Sequence, residues 1–188
     1  VLKKILDFYI NSSLHVALSA FALVSMTQYF FGVEEDFSVA FFAFFGTVVG
    51  YNFVKYDAIA RLNKTEIKNE LKAIVFLSFI SLLACFYFFL QLSWMSKVSA
   101  FAFFGLTLLY TLPFFPNKQN ARNWKGVKIY IVGITWVGVT VILPLVEAEI
   151  PFTMDVLLMA MQRFLLVFSI VLVFDIVDVK HDDIHLQT

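Results

Sequence analysis

The chain has 188 residues, of which 61% are apolar and 15% are charged, and its formal net charge is zero. Soluble domains have about 45–50% apolar and about 25% charged residues, so this composition indicates a membrane-embedded protein. The balanced charge gives no support for a nucleic-acid partner. The single cysteine, Cys85, excludes a disulfide or a thiolate metal centre within one chain.

Six apolar segments follow one another along the sequence, each near the ~20 residues that a spanning helix needs. They cover 13–32, 37–60, 71–92, 97–115, 127–147 and 154–179, with short polar connections between them. A bilayer admits only helices or closed barrels, and barrel strands alternate in polarity. The sequence therefore predicts an all-α membrane protein, with six transmembrane helices in one bundle that forms a single domain over 1–188.

Basic residues fall almost entirely on one side of these segments. Lys3 and Lys4 precede the first helix, basic clusters follow the second and the fourth, and Lys180 follows the sixth. The opposite connections hold only Lys97. By the positive-inside rule, we expect a multi-pass protein with both termini in the cytoplasm, in a bacterial inner (plasma) membrane.

Polar residues gather at the end of the second predicted helix. Asn52 lies among apolar neighbours and needs a hydrogen-bond partner. Asn63 returns to within about 20° of Asn52 around a helix, and Tyr56 lies about 40° away. Lys55 belongs to the same stretch. The pattern is compatible with a ligand site, or with a polar contact to another helix.

A second group of polar residues lies between the fourth and fifth predicted helices. Tyr110 and Pro113 mark the end of one helix, and Lys125 and Lys128 stand one turn apart at the start of the next. Both lysines can reach the same anion there, assisted by the helix N-terminus. Membrane topology alone would also account for them.

Arg163 lies within the sixth predicted helix, and an intramembrane arginine is a functional candidate by default. Pairing with Asp155 or Glu147, or snorkelling outward, explains it equally well.

Three aspartates at the end of the sixth helix form the strongest functional pattern. Asp175, Asp178 and Asp182 lie within about 60° of one another around a helix and span roughly 10 Å along it. Such like charges repel unless a cation or protonation relieves them. A hard divalent cation such as Mg²⁺ prefers oxygen ligands and shares them with substrate phosphates. The alternative is a solvated helix end.

With these motifs the chain resembles the UbiA superfamily of intramembrane prenyltransferases. Asp175, Asp178 and Asp182 reproduce that family's second motif, D-x-x-D-x-x-x-D. The stretch from Tyr110 through Pro113 and Phe114 to Lys125 and Lys128 is similar to its Tyr-x-x-Pro-Phe turn and the basic start of its fifth helix.

The resemblance has two departures. The family's first motif, N-D-x-x-D-x-x-x-D, keeps Asn52 here but has Phe53, Tyr56 and Ala60 in its aspartate positions, with Asp57 displaced by one residue. Family members also have nine helices. The chain therefore resembles the first two-thirds of that fold, and we expect it to be C-terminally incomplete.

The resemblance implies that an isoprenoid chain passes from a prenyl diphosphate to an unidentified hydrophobic acceptor within the bilayer. It gives the catalytic role to Asp175, Asp178 and Asp182, which with Asn52 would hold Mg²⁺. Substrate contacts are expected from Asn52, Lys55, Tyr56, Asn63, Tyr110, Lys125 and Lys128. Two alternatives are a non-catalytic protein that binds a polyprenyl lipid or diphosphate, and a carrier of small cations or metabolites.

Overall fold

The computed structural model describes residues 2–33, 37–62, 69–111 and 127–185, except for the side chains of 57–62, 69–70, 110, 128 and 175–185. All regular elements in these ranges are helical, which confirms the predicted all-α class. They are α1 (Leu2–Asn11), α2 (Leu14–Phe30), α3 (Phe37–Leu62), α4 (Asn69–Gln91), α5 (Trp94–Thr111), α6 (Val127–Val137), a π-helical turn (Gly138–Ile142), α7 (Leu143–Glu147) and α8 (Met154–His185).

Four of the described segments are long and apolar enough to cross a bilayer: Phe37–Tyr56, Leu71–Gln91, Ile129–Glu147 and Met154–Phe174. The pair α1 and α2 adds a fifth if it counts as one span bent by 62°. The searched part of α5, Trp94–Leu109, is apolar but shorter than a full span. The structure thus supports a multi-pass membrane protein with four or five candidate spans, and the predicted count of six is not confirmed.

The first predicted segment, 13–32, corresponds closely to α2, but it is preceded by a separate helix, α1, that was not predicted. The chain turns at Ser13, whose φ of 61° lies in the left-handed region, so one helix cannot continue through it. Leu2, Ile5, Leu6 and Ile10 are all exposed. They share one face of α1, opposite its charged residues, as in helices that lie at a membrane surface.

Small residues and aromatic rings pack the bundle. One apolar cluster joins α2, α3, α5 and α7 through Val24, Val39, Ala43, Ala100 and Leu143. Small side chains such as Ala43 and Ala100 allow helices to approach closely, as is usual in membranes. The outward face of α4 is a continuous apolar surface, made of Val75, Phe76, Phe79, Ile80, Leu82, Leu83, Phe86, Tyr87 and Leu90. Such a surface is stable in lipid and unfavourable in water.

The predicted helix 127–147 has the expected bounds but contains a π-helical turn. Pro144 has no N–H, so the carbonyl of Thr140, four residues earlier, loses its usual helical donor. The chain widens at Gly138–Ile142, where the N–H of Leu143 donates to the carbonyl of Gly138 five residues back. Membrane helices accommodate proline by such adjustments and by hydroxyl groups from neighbouring helices. This turn shapes the polar site described below.

Candidate functional site

The acidic end of α8 begins where its apolar span ends. In the sequence, the apolar run 164–174 is followed directly by Asp175, and the helix continues to His185. Positions 175, 178 and 182 therefore belong to one unbroken helix and face the same direction within about 60°. The side chains of Asp175, Asp178 and Asp182 lie outside the described part, so their role as metal ligands stays a prediction. Among the side chains that are described, no group of three His, Cys, Asp or Glu residues could hold a metal.

Asn52 is buried in α3, with 3% of its surface exposed. Its Nδ2 donates a hydrogen bond to Ser78 Oγ on α4 at 2.9 Å. The Ser78 hydroxyl donates in turn to the Ile74 carbonyl at 2.8 Å, so it can only accept from the amide. Asn52 Oδ1 is left buried without a hydrogen-bond partner among the described residues. A buried amide oxygen of this kind is chemically suited to a cation or a water molecule.

Lys55 and Tyr56 both reach the C-terminal end of α1. Tyr56 Oη donates to the Asn11 carbonyl at 2.8 Å, and Lys55 Nζ donates to the same oxygen at 3.3 Å. The last carbonyls of a helix lack partners within it and carry partial negative charge, so they attract such donors. The structure thus gives these two side chains a structural contact, and their predicted role in substrate binding is not tested by it.

The remaining predicted site residues fall at the edge of the described chain or beyond it. Tyr110 and Lys128 lie in α5 and α6, but their side chains are not described, and Asn63 and Lys125 lie outside the described ranges. The principal neighbours of α8 are α6 and the π-helical turn, whereas α3 packs mainly on α2 and α4. The structure brings Asn52, Lys55 and Tyr56 together on α3, and their predicted proximity to the acidic end of α8 stays a prediction.

The most extensive polar contacts among the described side chains surround Arg163. Its side chain is only 1% exposed and points into the bundle. Nη1 donates to the Leu23 carbonyl at 3.2 Å and to Thr140 Oγ1 at 2.9 Å, and Nη2 donates to Thr27 Oγ1 at 3.4 Å. Snorkelling outward is therefore wrong for this arginine.

Neither carboxylate considered for Arg163 pairs with it. Both oxygens of Glu147 accept from the backbone N–H of Ser93, at 3.1 and 3.0 Å, where α5 begins. Asp155 lies in the first turn of α8, where a negative charge is favourable. The partners of the guanidinium are two hydroxyls and one backbone carbonyl, all of them neutral.

The π-helical turn supplies one of these partners. Thr140 lies inside the turn, and its carbonyl accepts a hydrogen bond from Thr27 Oγ1 at 2.7 Å. This is the carbonyl that Pro144 leaves without a helical donor. Hydrogen bonds at the π-helical turn thus connect this turn to α2 and α8, through Thr27, Thr140 and Arg163. Short π-helical segments of this kind occur frequently at functional sites.

A cleft of about 630 Å³ opens beside Arg163. Asp155 and Gln162 contribute polar groups to its lining, and Met26, Phe30 and Leu158 contribute apolar ones. Sequence reasoning identified Arg163 as a candidate but found neither its partners nor this cleft. The sequence did contain one signal: Pro144 has no N–H to donate, so it predicts that the Thr140 carbonyl needs a hydrogen-bond donor from another helix.

No protein-family model, curated protein or solved structure matches this chain. The class that the fold defines is an all-helical, multi-pass membrane protein. The resemblance to UbiA-type prenyltransferases rests on the sequence motifs and stays a prediction.

Proposed function

We propose that this protein binds a prenyl diphosphate at the acidic end of α8 and transfers its isoprenoid chain to a hydrophobic acceptor in the membrane. The observation that carries the proposal is the continuity of α8. The helix is unbroken from Met154 to His185, and in the sequence its apolar run 164–174 is followed directly by Asp175. Three aspartate positions therefore share one face directly at the membrane boundary, where a diphosphate headgroup would lie.

The proposed chemistry divides between the headgroup and the tail. Mg²⁺ held by the three aspartates would neutralise the charge that develops on the departing diphosphate. Lys128, in the first turn of α6, and Lys125, three residues before it in the sequence, would hold phosphate oxygens as point charges. Aromatic side chains of the bundle would surround the tail, and their faces attract an allylic cation. The fit of Asn52 is partial, because its Oδ1 suits a cation but its amide group is bonded to α4.

We further propose the orientation in which both termini and the acidic end of α8 face the cytoplasm of a bacterial inner membrane, with six membrane passages including α5. Basic residues on that side support it. Exposed aromatic side chains lie at the opposite side of the bundle: Tyr29 near the end of α2, Trp94 at the start of α5, and Phe152 just before α8. Such residues are enriched where a helix meets the membrane interface.

A second candidate is a protein that binds a prenyl diphosphate without turnover. The hydrogen bonds of three predicted substrate-binding residues on α3 favour this binding protein. The amide of Asn52 donates to Ser78, and Lys55 and Tyr56 donate to the Asn11 carbonyl. Part of the hydrogen-bonding capacity of these side chains is thus already used within the bundle.

Binding of geranylgeranyl diphosphate to the purified protein in lipid nanodiscs, with Mg²⁺ or with EDTA, tests the site. We expect saturable binding that EDTA removes and that Asp175→Asn weakens at least about tenfold, the effect of losing one charged ligand. Asp183→Asn is the matched control, since its position lies about 80° from Asp175 and about 140° from Asp178. Equal effects of the two substitutions would refute the site.

The same preparation separates the candidate functions. Release of inorganic diphosphate in the presence of Mg²⁺ and a pool of aromatic and lipid acceptors identifies a transferase. Binding without release identifies a non-catalytic binder. Cation flux across proteoliposomes that is indifferent to prenyl diphosphate identifies a carrier and contradicts both.

A further inference from the structure

The guanidinium of Arg163 has more donors than its neighbours use. It carries five N–H bonds. Nη1 has two acceptors, Nη2 has one, and the buried Nε has none among the described residues. Three acceptors for five N–H bonds leave unused donors on the group, including the one on Nε. In an arginine, Nε and Nη2 share the edge that pairs side-on with a carboxylate or a phosphate through two parallel hydrogen bonds.

No carboxylate among the described side chains forms an ion pair with Arg163, although that of Asp155 lines the same cleft. Only 1% of the surface of Arg163 is exposed, and its partners among the described residues are neutral oxygens. A buried cation without a counter-ion is costly. In membrane proteins such a residue usually pairs with an acid or marks a ligand path.

The space beside Arg163 is shaped for a molecule that has an apolar body. The cleft of about 630 Å³ runs along α8 from Asp155 to Arg163, roughly 12 Å by helical rise. Phe30 and Leu158, which line it, are 62% and 56% exposed, so its walls are open and apolar. The volume is in the range of small-molecule sites, which are typically apolar with a few placed polar groups.

We propose that this cleft binds an amphiphilic oxyanion, whose carboxylate or phosphate pairs side-on with Nε and Nη2 of Arg163 while its apolar body lies against Phe30 and Leu158. The site is separate from the acidic end of α8, since Arg163 lies roughly 18 Å before Asp175 along the helix. It therefore does not depend on the prenyl-diphosphate proposal.

Electron paramagnetic resonance of a stearate that carries a nitroxide on its chain tests the site. The protein is reconstituted in phosphatidylcholine vesicles in alkaline buffer, where the acid is ionised, and the motionally restricted fraction is measured. We expect an affinity about tenfold above that of the methyl ester, because a hydrogen-bonded ion pair is lost in the ester.

Two variants that leave the partners of Arg163 intact locate the binding. Leu158→Trp fills the cleft, and we expect it to abolish the preference for the acid over the ester. Leu157→Trp is the matched control, since this neighbour is 39% exposed and does not line the cleft. Arg163→Gln should also remove the preference, but its loss of buried contacts makes the tryptophan pair the safer test.

Competition then identifies the source of the oxyanion. Displacement of the label by inorganic phosphate would assign a soluble oxyanion, and displacement by phosphatidylglycerol alone would assign a lipid headgroup. Both results support pairing of an oxyanion with Arg163. Equal restriction of acid and ester, or equal effects of Leu158→Trp and Leu157→Trp, would overturn the proposal.

Discussion

Two hydroxyl groups determine how Arg163 is accommodated in the bundle. Thr27 Oγ1 lies 2.7 Å from the Thr140 carbonyl and 3.4 Å from Arg163 Nη2, so it contacts two groups that would otherwise be buried without partners. The cost of leaving such groups unsatisfied is about 1–3 kcal/mol each. A small side chain on α2 therefore has an effect well beyond its own burial.

We expect Thr27→Val to lower the unfolding free energy by about 2–6 kcal/mol, because it keeps the shape but removes the hydroxyl that serves both groups. Thermal unfolding in detergent, followed by tryptophan fluorescence, measures this change. The control is Thr47→Val, since Thr47 Oγ1 donates only to the Ala43 carbonyl of its own helix. A loss of stability in Thr47→Val as large as that in Thr27→Val would argue against the Arg163 contacts as a stabilising unit.

For single residues, the sequence identifies which side chains are unusual but does not identify their contacts in the folded protein. The aspartate spacing on α8 and the buried character of Asn52 were both readable from local pattern. The partners of Arg163 were not, because Leu23 and Thr27 are far away in sequence and no local rule relates them. For Lys55, the contact with the Asn11 carbonyl depends on the turn at Ser13, which the composition did not indicate.

Among the helices, the π-helical turn between α6 and α7 depends on a close contact at Gly138. A Cβ built at this position would overlap the ring of Phe103 on α5. The widened backbone can approach α5 only because no side chain stands between them. Glycine in a membrane helix commonly serves such close packing.

Gly138→Ala should lower the unfolding free energy by about 1–3 kcal/mol, the usual cost of overpacking, since the Phe103 ring must move. The same fluorescence-detected unfolding measures it. The control is Gly105→Ala, where a Cβ meets nothing within 4 Å, and helix propensity favours alanine by up to about 1 kcal/mol. If both substitutions were neutral, the contact between Gly138 and Phe103 would not be a packing constraint.

Helix positions were largely predictable, and the departures have physical causes. Segments 37–60, 71–92 and 127–147 correspond closely to α3, α4 and the run from α6 to α7. Hydropathy identifies these because each is an apolar run bounded by charge. It does not detect the bend at Ser13, which is a backbone effect. It also placed the start of α5 too late, since the backbone N–H of Ser96 bonds to Ser93 Oγ and caps the helix earlier.

Across the whole molecule, the two candidate sites lie at different heights along α8. The acidic residues lie at one end of α8, and Arg163 lies in the half of the bundle near the other end of that helix. Orientation therefore decides which side of the membrane each site faces. The sequence predicts orientation through its basic residues, and no contact within the bundle reports it.

Cysteine labelling tests the orientation in a Cys85→Ala background. Lys4→Cys should react with a membrane-impermeant maleimide only after the cells are opened, because the positive-inside rule places it in the cytoplasm. Glu149→Cys, between α7 and α8, should react in intact cells. The reverse pattern would mean that the acidic end of α8 faces outward and would contradict the proposed access to a cytosolic diphosphate.

The proposed function depends on the acidic face of α8 holding a divalent cation together with a diphosphate. Titration with Mn²⁺ in place of Mg²⁺, followed by electron paramagnetic resonance, measures this binding directly. We expect geranylgeranyl diphosphate to increase the bound Mn²⁺, Asp175→Asn to abolish the increase, and Asp183→Asn to preserve it. Bound Mn²⁺ that is indifferent to the diphosphate, or equal in the two variants, would contradict the claim and leave the three aspartates as a solvated helix end.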